Sequence, residues 1–183
     1  MYLKNLIGHT KTILIHKYYV FLAMKDCGRL MQGIFHDLSK FSYCEFSESA
    51  KYYDNGVSSP INKCREIKGY SEAWLHHKGR NKHHSSYWID IDGKKVTPIK
   101  IPYKYVIEGI CDSIGAGKTY LGRNWTCNSP LEWWNKTGIN QIINESTKYL
   151  LDFVYNEISI SGWDYVSKEL IKTNKLKYIY DSI

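Results

Sequence analysis

The sequence lacks both a long apolar run and a local block of charge. No stretch of 18 apolar residues occurs in its 183 residues, and its N-terminus has no signal-peptide cleavage pattern, so we expect a cytoplasmic protein without a membrane span. The net charge is +7, yet the 25 Lys and Arg residues form no run of five, so a dedicated nucleic-acid-binding tail is absent. The excess positive charge instead favours a small anionic partner, such as a nucleotide or another phosphoester.

Cysteine pairs are also missing. The sequence has five cysteines, an odd number, and none of them forms a C-x-x-C pair. This usage argues against a disulfide framework and against a zinc knuckle, and predicts reduced, mostly buried thiols.

The length is typical of one domain, which we place at residues 1–183. Residues 138–183 contain no His and no Cys, so we expect packing rather than chemistry there. We therefore assign the chemistry to a core at about residues 9–120 and a packing role to C-terminal helices within 130–183. The sequence leaves the oligomeric state open.

Helical apolar periods recur along most of the chain and predict an all-α fold. A first helix is expected over residues 3–27, ended by Gly28, and a second over 29–38. Further helices are expected after a capping box formed by Ser42 and Glu45, after the capping residues Ser71, Ser129 and Asn144, and after Pro102, where the helix is expected to end at about Ile114. Alternating residues around Asp92-Gly93 predict at most a small β-hairpin within 87–101.

The most informative stretch is Phe35-His36-Asp37-Leu38-Ser39-Lys40-Phe41. An adjacent His and Asp supply two metal ligands of different character, and the carboxylate can bridge two cations. Lys40 follows Asp37 by three residues, so its ammonium lies near the same face and can meet a substrate phosphate. The alternative interpretation is an N-cap Asp beside an unrelated His.

Four of the seven histidines fall within nine residues, as the pairs His76-His77 and His83-His84. Because adjacent helical residues point about 100° apart, one member of each pair is expected to face inward. The apolar stripe along a continued helix favours His77 in the first pair and His84 in the second. A basic surface loop is the alternative, and the upstream His-Asp pair makes metal ligation the better explanation.

Two further candidates lie on other predicted helices. His16 and His9 are two turns apart on the first helix, and either can be the first ligand. Asp112 lies late in the helix that follows Pro102, among apolar residues, so its carboxylate needs a partner, solvent or a cation. The nearby Gly115-Ala116-Gly117-Lys118-Thr119 is not a phosphate-binding P-loop, because Asp112 stands where the pattern needs a glycine and a helix precedes it.

Taken in chain order, the candidates His16, His36-Asp37, His77, His84 and Asp112 resemble the HD-domain superfamily of metal-dependent phosphohydrolases. More narrowly, H-D-L-S-K-F-S-x-x-E-F and A-W-L-H-H-K-G-R-N-x-H-H, with the later P-Y-K-Y-V-x-E and S-P-L-E-W-W, look like an uncharacterised family of bacterial and phage proteins. The resemblance implies an HD-like helical bundle. It also implies one divalent ion held by His16, His36, Asp37 and Asp112, and a second held with the help of His77 and His84.

The function expected from this resemblance is hydrolysis of a nucleotide, cyclic nucleotide or other phosphoester. One or two divalent ions would be bound, and the sequence does not distinguish among Mn, Fe, Mg, Ni, Co and Zn. Asp37 and Lys40 are the expected catalytic residues, Arg80 and Lys118 the expected phosphate contacts, and Trp74 and Trp88 the expected stacking surfaces for a base. Two alternatives remain: a di-iron oxygenase on the same scaffold, and a protein that binds nucleotides or uses its histidines structurally without turnover.

Overall fold

Helices make up most of the structure, a computed structural model that describes residues 2–183. Met1, which the predicted domain includes, lies outside the described residues. The expected all-α fold with one small hairpin is confirmed. The helices are α1 Tyr2–Asp26, α2 Leu30–Phe35, α3 Tyr43–Lys51, α4 Pro60–Lys68, α5 Glu72–Arg80, α6 Tyr103–Leu121, α7 Ser129–Lys136, α8 Glu145–Ser161, α9 Trp163–Tyr165 and α10 Lys175–Ser182.

Shorter elements connect these helices. The hairpin is antiparallel, with strand β1 Ile89–Asp92 paired to β2 Lys95–Pro98, and Ile91 faces Val96. A π-helical segment, Val166–Ile171, joins α9 to α10. Single 3-10 turns cover Leu38–Phe41, Ser85–Trp88, Gly122–Asn124 and Gly138–Gln141.

Local hydrogen bonds explain where several of the helices begin and end. Helix α1 stops at Gly28, whose φ of 72° is left-handed. The Arg29 backbone N–H donates to Met24 O and that of Gly28 to Lys25 O, which is the paired closure of a Schellman motif. The side chains of Ser71 and Asn144 accept backbone N–H groups at the starts of α5 and α8, as predicted.

Three predicted boundaries are wrong. The second helix was expected to run to residue 38, but α2 ends at Phe35, because His36 is extended and Asp37 is left-handed. Helix α7 begins at Ser129 itself, since the Ser129 hydroxyl accepts from the Thr126 N–H in the preceding turn. Helix α6 continues seven residues beyond the expected end at 114 to Leu121, and so contains Gly115 to Thr119 in helical form, which agrees with rejecting a P-loop.

The core is built around the α1–α6 pair. One cluster of buried apolar side chains extends from Val20 in α1, through Ile107 and Ile114 in α6 and Leu150 in α8, to Tyr180 in α10. Helices α3 and α5 pack against one another, and α3 also packs against α1. Among residues 2–183, no helix combines the length and apolar character needed to cross a membrane.

Helices α1 and α6 approach closely because residue 115 is glycine. A Cβ at Gly115 would contact the Val20 side chain and lie 3.0 Å from the Val20 backbone nitrogen. Since backbone cannot move aside as a flexible side chain can, any larger residue must separate the two helices. These helices carry His16 and Asp112, so the approach also sets the distance between those side chains.

Gly115→Ala is expected to destabilise the fold by about 1–3 kcal/mol, the usual cost of overpacking a tight interior contact. Gly79→Ala is the matched control, because Gly79 is helical in α5 and no atom lies within 4 Å of its added Cβ. It should raise stability by up to about 1 kcal/mol through helix propensity. Denaturant unfolding of both variants measures the two free energies. A Gly115→Ala protein as stable as the Gly79→Ala protein would contradict this account.

Candidate metal centre

His36 and Asp37 lie in a sharp turn rather than on a helix. His36 has an extended backbone, with φ of −54° and ψ of 129°, and Asp37 is left-handed, with φ of 53° and ψ of 33°. This break lets two successive side chains point to one place, which successive residues of a helix cannot do. Asp37 precedes the 3-10 turn, but its side chain makes no capping hydrogen bond. The N-cap interpretation of Asp37 therefore does not hold.

The first donor group consists of His16, His36, Asp37 and Asp112, whose ligand atoms all lie within 4.8 Å of one another. Asp112 Oδ1 lies 3.0 Å from His16 Nε2 and 3.3 Å from His36 Nε2. Asp37 Oδ2 lies 3.4 Å from His36 Nε2. Helices α1 and α6 and the His-Asp turn thus bring two imidazoles and two carboxylates together.

The second donor group consists of Asp37, His77, His83 and His84, again with all ligand atoms within 4.8 Å. His77 Nε2 lies 3.5 Å from Asp37 Oδ2, and His83 Nε2 lies 3.5 Å from Asp37 Oδ1. Asp37 therefore belongs to both groups and presents a different oxygen to His83 than to His36 and His77.

The spacing of these donor atoms fits a metal ion. Ligand atoms about 2.1 Å from one ion stand about 3.0 Å apart at adjacent octahedral positions and about 3.4 Å apart at tetrahedral ones. The separations within the first donor group, 3.0 to 4.0 Å, cover both values. The buried His and Asp groups can hold a metal ion, and their mixed N and O donors do not distinguish among the metals expected from the sequence.

Unsatisfied buried atoms point to the same conclusion. Buried polar atoms normally make hydrogen bonds, and each exception needs an explanation. The ligand atoms of the two donor groups approach one another as closely as 3.0 Å, but they make no hydrogen bonds to one another. The buried atoms without a hydrogen-bond partner include His16 Nε2, His36 Nε2, Asp37 Oδ1, Asp37 Oδ2, His83 Nε2, His84 Nε2 and Asp112 Oδ1.

Carboxylates orient three of the histidines by binding their Nδ1 atoms. Glu108 Oε1 lies 3.0 Å from His36 Nδ1 and 3.4 Å from His83 Nδ1. Glu45 Oε2 lies 2.7 Å from His77 Nδ1. A carboxylate on Nδ1 keeps the proton there and leaves the Nε2 lone pair for a metal, an arrangement common to metal-ligating histidines. Three histidines thus have the outer support expected of ligands.

Electrostatics set the protonation of the first donor group. Burial, reinforced by Lys40, lowers the pKa of His16 to about 4, so its imidazole is neutral at pH 7. Burial also disfavours the charged form of His36, but Asp37 and the other nearby carboxylates outweigh it and raise its pKa to about 9, so a metal ion must displace a proton to bind His36 Nε2. Burial would raise the pKa of Asp37 and Asp112, yet neighbouring histidines hold both well below the usual range. Both carboxylates are therefore ionised.

His9 and His76, which the sequence leaves open as alternative ligands, lie outside the two donor groups. His9 lies against the rings of Phe46 and Tyr53, at centroid distances of 5.3 and 6.0 Å, and belongs to neither donor group. His76 turns its Nδ1 to Glu45 Oε1 at 2.6 Å and accepts from Arg80 Nε. The structure brings His16 and His77, rather than these two histidines, into the donor groups.

Two openings reach the centre. The inner cavity, of about 200 Å³, is lined by donor-group residues together with Lys40, Trp74 and Tyr120. The outer groove, of about 490 Å³, is lined by Asp37 and Glu108 together with Arg80, Asn81, Lys82 and Lys104.

The residues predicted to bind substrate are divided between these openings and other places. Lys40 Nζ lies 2.6 Å from Asp37 Oδ2 and faces the inner cavity, as does Trp74. Arg80 lines the outer groove. Lys118 lies over the Trp125 ring at 4.7 Å, and Trp88 packs on Tyr105; neither lines the two openings.

Three residues of the centre are not predicted from the sequence. The sequence favours His84 over His83 only for a helix that continues, but α5 ends at Arg80 and both histidines join the second donor group. The sequence predicts a capping box of Ser42 and Glu45, whereas the Glu45 carboxylate binds His76 and His77. Glu108 lies one turn before Asp112, a spacing that signals a shared helix face.

Comparison with known proteins identifies a family but no activity. A family model described as "Family of unknown function (DUF5662)" matches residues 5–157, a range that includes every residue of both donor groups. No curated protein and no solved structure matches the chain.

Glu108→Gln is expected to weaken metal binding by about 10–100-fold, because the neutral amide holds His36 and His83 less firmly in the ligating tautomer. Glu48→Gln is the matched control. Glu48 is also a partly buried carboxylate, but it accepts from Ser71 and the Ala73 N–H and touches no histidine. Titration of each metal-free protein with Mn²⁺ gives the affinities. Equal affinities for the two variants would rule out the supporting role of Glu108.

Proposed function

The chain belongs to the DUF5662 family, whose function is unknown, and we propose from its site that the protein is a metal-dependent phosphohydrolase. The observation that carries the proposal is the convergence of five histidines and Asp112 on the buried carboxylate of Asp37. Such a site, next to a lysine and a cavity, has the parts that phosphoester hydrolysis needs: a metal-ligand set, a cation and a place for substrate.

The order of these residues supports an HD-type centre. A histidine on the first helix, a His-Asp pair, further histidines and a late Asp follow one another in the chain, as in the resemblance described from the sequence. Asp37 is the residue shared by the two donor groups, and its two oxygens face different histidines. His16, His36, Asp37 and Asp112 would hold one divalent ion, and Asp37 with His77, His83 and His84 would hold a second.

The ion supplies the chemistry that the side chains lack. A bound divalent ion lowers the pKa of water towards ~7 and offsets charge on a phosphoryl group. The chain's own contribution is to fix the imidazoles through Glu108 and Glu45 and to keep Asp37 and Asp112 ionised. These interactions preorganise the site before substrate arrives, which is the main source of electrostatic catalysis.

Lys40 is proposed to contact the phosphate. Burial acts to lower the pKa of Lys40, but the carboxylates of Asp37 and Asp112 outweigh that effect and raise it, so its ammonium stays charged. A charged lysine is not a metal ligand, yet it lines the inner cavity within 2.6 Å of Asp37 Oδ2. A phosphoryl oxygen placed beside Asp37 would therefore be within reach of Lys40 Nζ.

The cavity wall favours an anion with a small attached group. Ile13, Pro60, Ile61 and Trp74 give the inner cavity a largely apolar lining. Apolar walls exclude bulk water and strengthen the attraction between Lys40 and a phosphoryl group. The proposed substrate is thus a phosphoester, such as a nucleotide, with its phosphate at the donor groups and one substituent against Trp74.

The test begins with metal analysis of protein purified without a His tag. Turnover is then measured on a panel of phosphomonoesters and phosphodiesters with each candidate metal. Activity that is abolished by a chelator and restored by the metal supports the proposal. Bound iron with dioxygen consumption and no phosphate release would instead establish the oxygenase alternative.

Lys40→Met should retain metal and fold but lower turnover by about 10²–10³-fold, the typical effect of removing one transition-state contact. Lys25→Met is the control, since Lys25 is an exposed lysine in the last turn of α1. Turnover, metal content and melting temperature are compared for both variants. Unchanged turnover with a lowered melting temperature would make Lys40 structural and would weaken the hydrolase proposal with it.

A further inference from the structure

The outer groove reaches the metal centre from a separate surface. It shares no lining residue with the inner cavity and borders the centre at Asp37, whose carboxylate is buried, and at Glu108, which contacts the Nδ1 atoms of His36 and His83. Its volume of about 490 Å³ is more than twice that of the inner cavity. The groove can therefore hold a larger part of a ligand than the inner cavity can.

Three cations line this groove, and they come from two elements. Arg80 ends α5 and Lys82 follows it, whereas Lys104 lies in the first turn of α6. Among residues 2–183, no carboxylate lies within 4.0 Å of the cationic nitrogens of these three residues, whereas surface lysines such as Lys148 have acidic partners. The acids of the groove, Asp37 and Glu108, are engaged by histidines instead. Apart from Arg80 Nε, which donates to His76 Nε2, the cationic nitrogens are thus available to an anion.

Aromatic rings accompany the cations. Lys104 Nζ lies 4.7 Å from the Tyr105 ring centroid, and Lys82 Nζ lies 5.5 Å from that of Tyr87. Trp88 packs against Tyr105 at 5.9 Å, and Phe35, at the groove, is 61% exposed. Cations interleaved with partly exposed rings are the arrangement by which proteins hold single strands: the cations follow the phosphates and the rings stack on unpaired bases.

We propose that the outer groove binds single-stranded nucleic acid, with its phosphodiester backbone along the Glu108 side of the metal centre. Cations contributed from two elements to a groove of about 490 Å³ suit a strand that carries several phosphates. Stacking on Tyr105 and Phe35 requires unpaired bases, which excludes a closed duplex. The proposal does not rest on the proposed hydrolase function, because binding of the strand requires no metal.

The experiment measures binding of a fluorescein-labelled oligothymidylate of about 12 nucleotides, a length within the range of single-strand sites. Fluorescence anisotropy is recorded in chelator over a series of salt concentrations. The test protein carries Arg80→Met, Lys82→Met and Lys104→Met. The control protein carries Lys136→Met, Lys168→Met and Lys177→Met, which remove the same charge from exposed positions on the C-terminal helices. Circular dichroism melting checks that both are folded.

The groove variant is expected to bind the strand about 100-fold more weakly than wild type at 0.1 M salt. Its slope of log affinity against log salt should be smaller by about 2, because roughly 0.7 counterion is released per phosphate contact. The control variant should bind within a few-fold of wild type. Equal weakening of both variants, or no binding by wild type, would overturn the proposal.

The two proposals fail in different measurements. If the groove variant and control bind alike while wild type hydrolyses small phosphoesters, strand binding is wrong and the hydrolase function stands. If strand binding depends on the groove cations but no phosphoester is turned over with any metal, the groove assignment stands and the hydrolase function is wrong.

Discussion

Burial of the charged Asp37 carboxylate determines which side chains must surround it. Its side chain is fully buried, and an isolated buried charge costs several kcal/mol unless it is paired. Lys40 and the surrounding histidines stabilise it, and they come from α1, from the His-Asp turn, and from α5 and the segment that follows it. A bound cation would complete this compensation, which explains why so many buried nitrogens face one carboxylate without making hydrogen bonds.

The packing of the helices sets the geometry around that carboxylate. Gly115 allows α1 and α6 to approach, and this approach brings His16 Nε2 within 3.0 Å of Asp112 Oδ1. Helix α3 packs against α5, and Glu45 on the first holds His77 on the second. The same interior contacts that stabilise the fold therefore position the ligands, and a change in helix separation would act on both.

Local sequence signals predict local features of this molecule well. Apolar periods and capping residues such as Ser71 and Asn144 identify the helices, because both depend on neighbouring residues alone. The assumption of a continued helix fails at Asp37 and at His83, where the backbone leaves the helical path to aim side chains inward. Glu45 and Glu108 act on residues 32 and 72 positions away in the sequence, so their supporting role requires the folded structure.

We propose that Asp37 holds metal, and the metal content per chain decides whether it does. Asp37→Asn keeps the shape and tolerates the left-handed backbone, but removes the charge. Elemental analysis of untagged wild-type protein should find one or two divalent ions per chain, and the variant should contain none while its circular dichroism remains helical. Asp54→Asn, at an exposed position, should keep the wild-type content. Full metal stoichiometry in a folded Asp37→Asn protein would contradict the account.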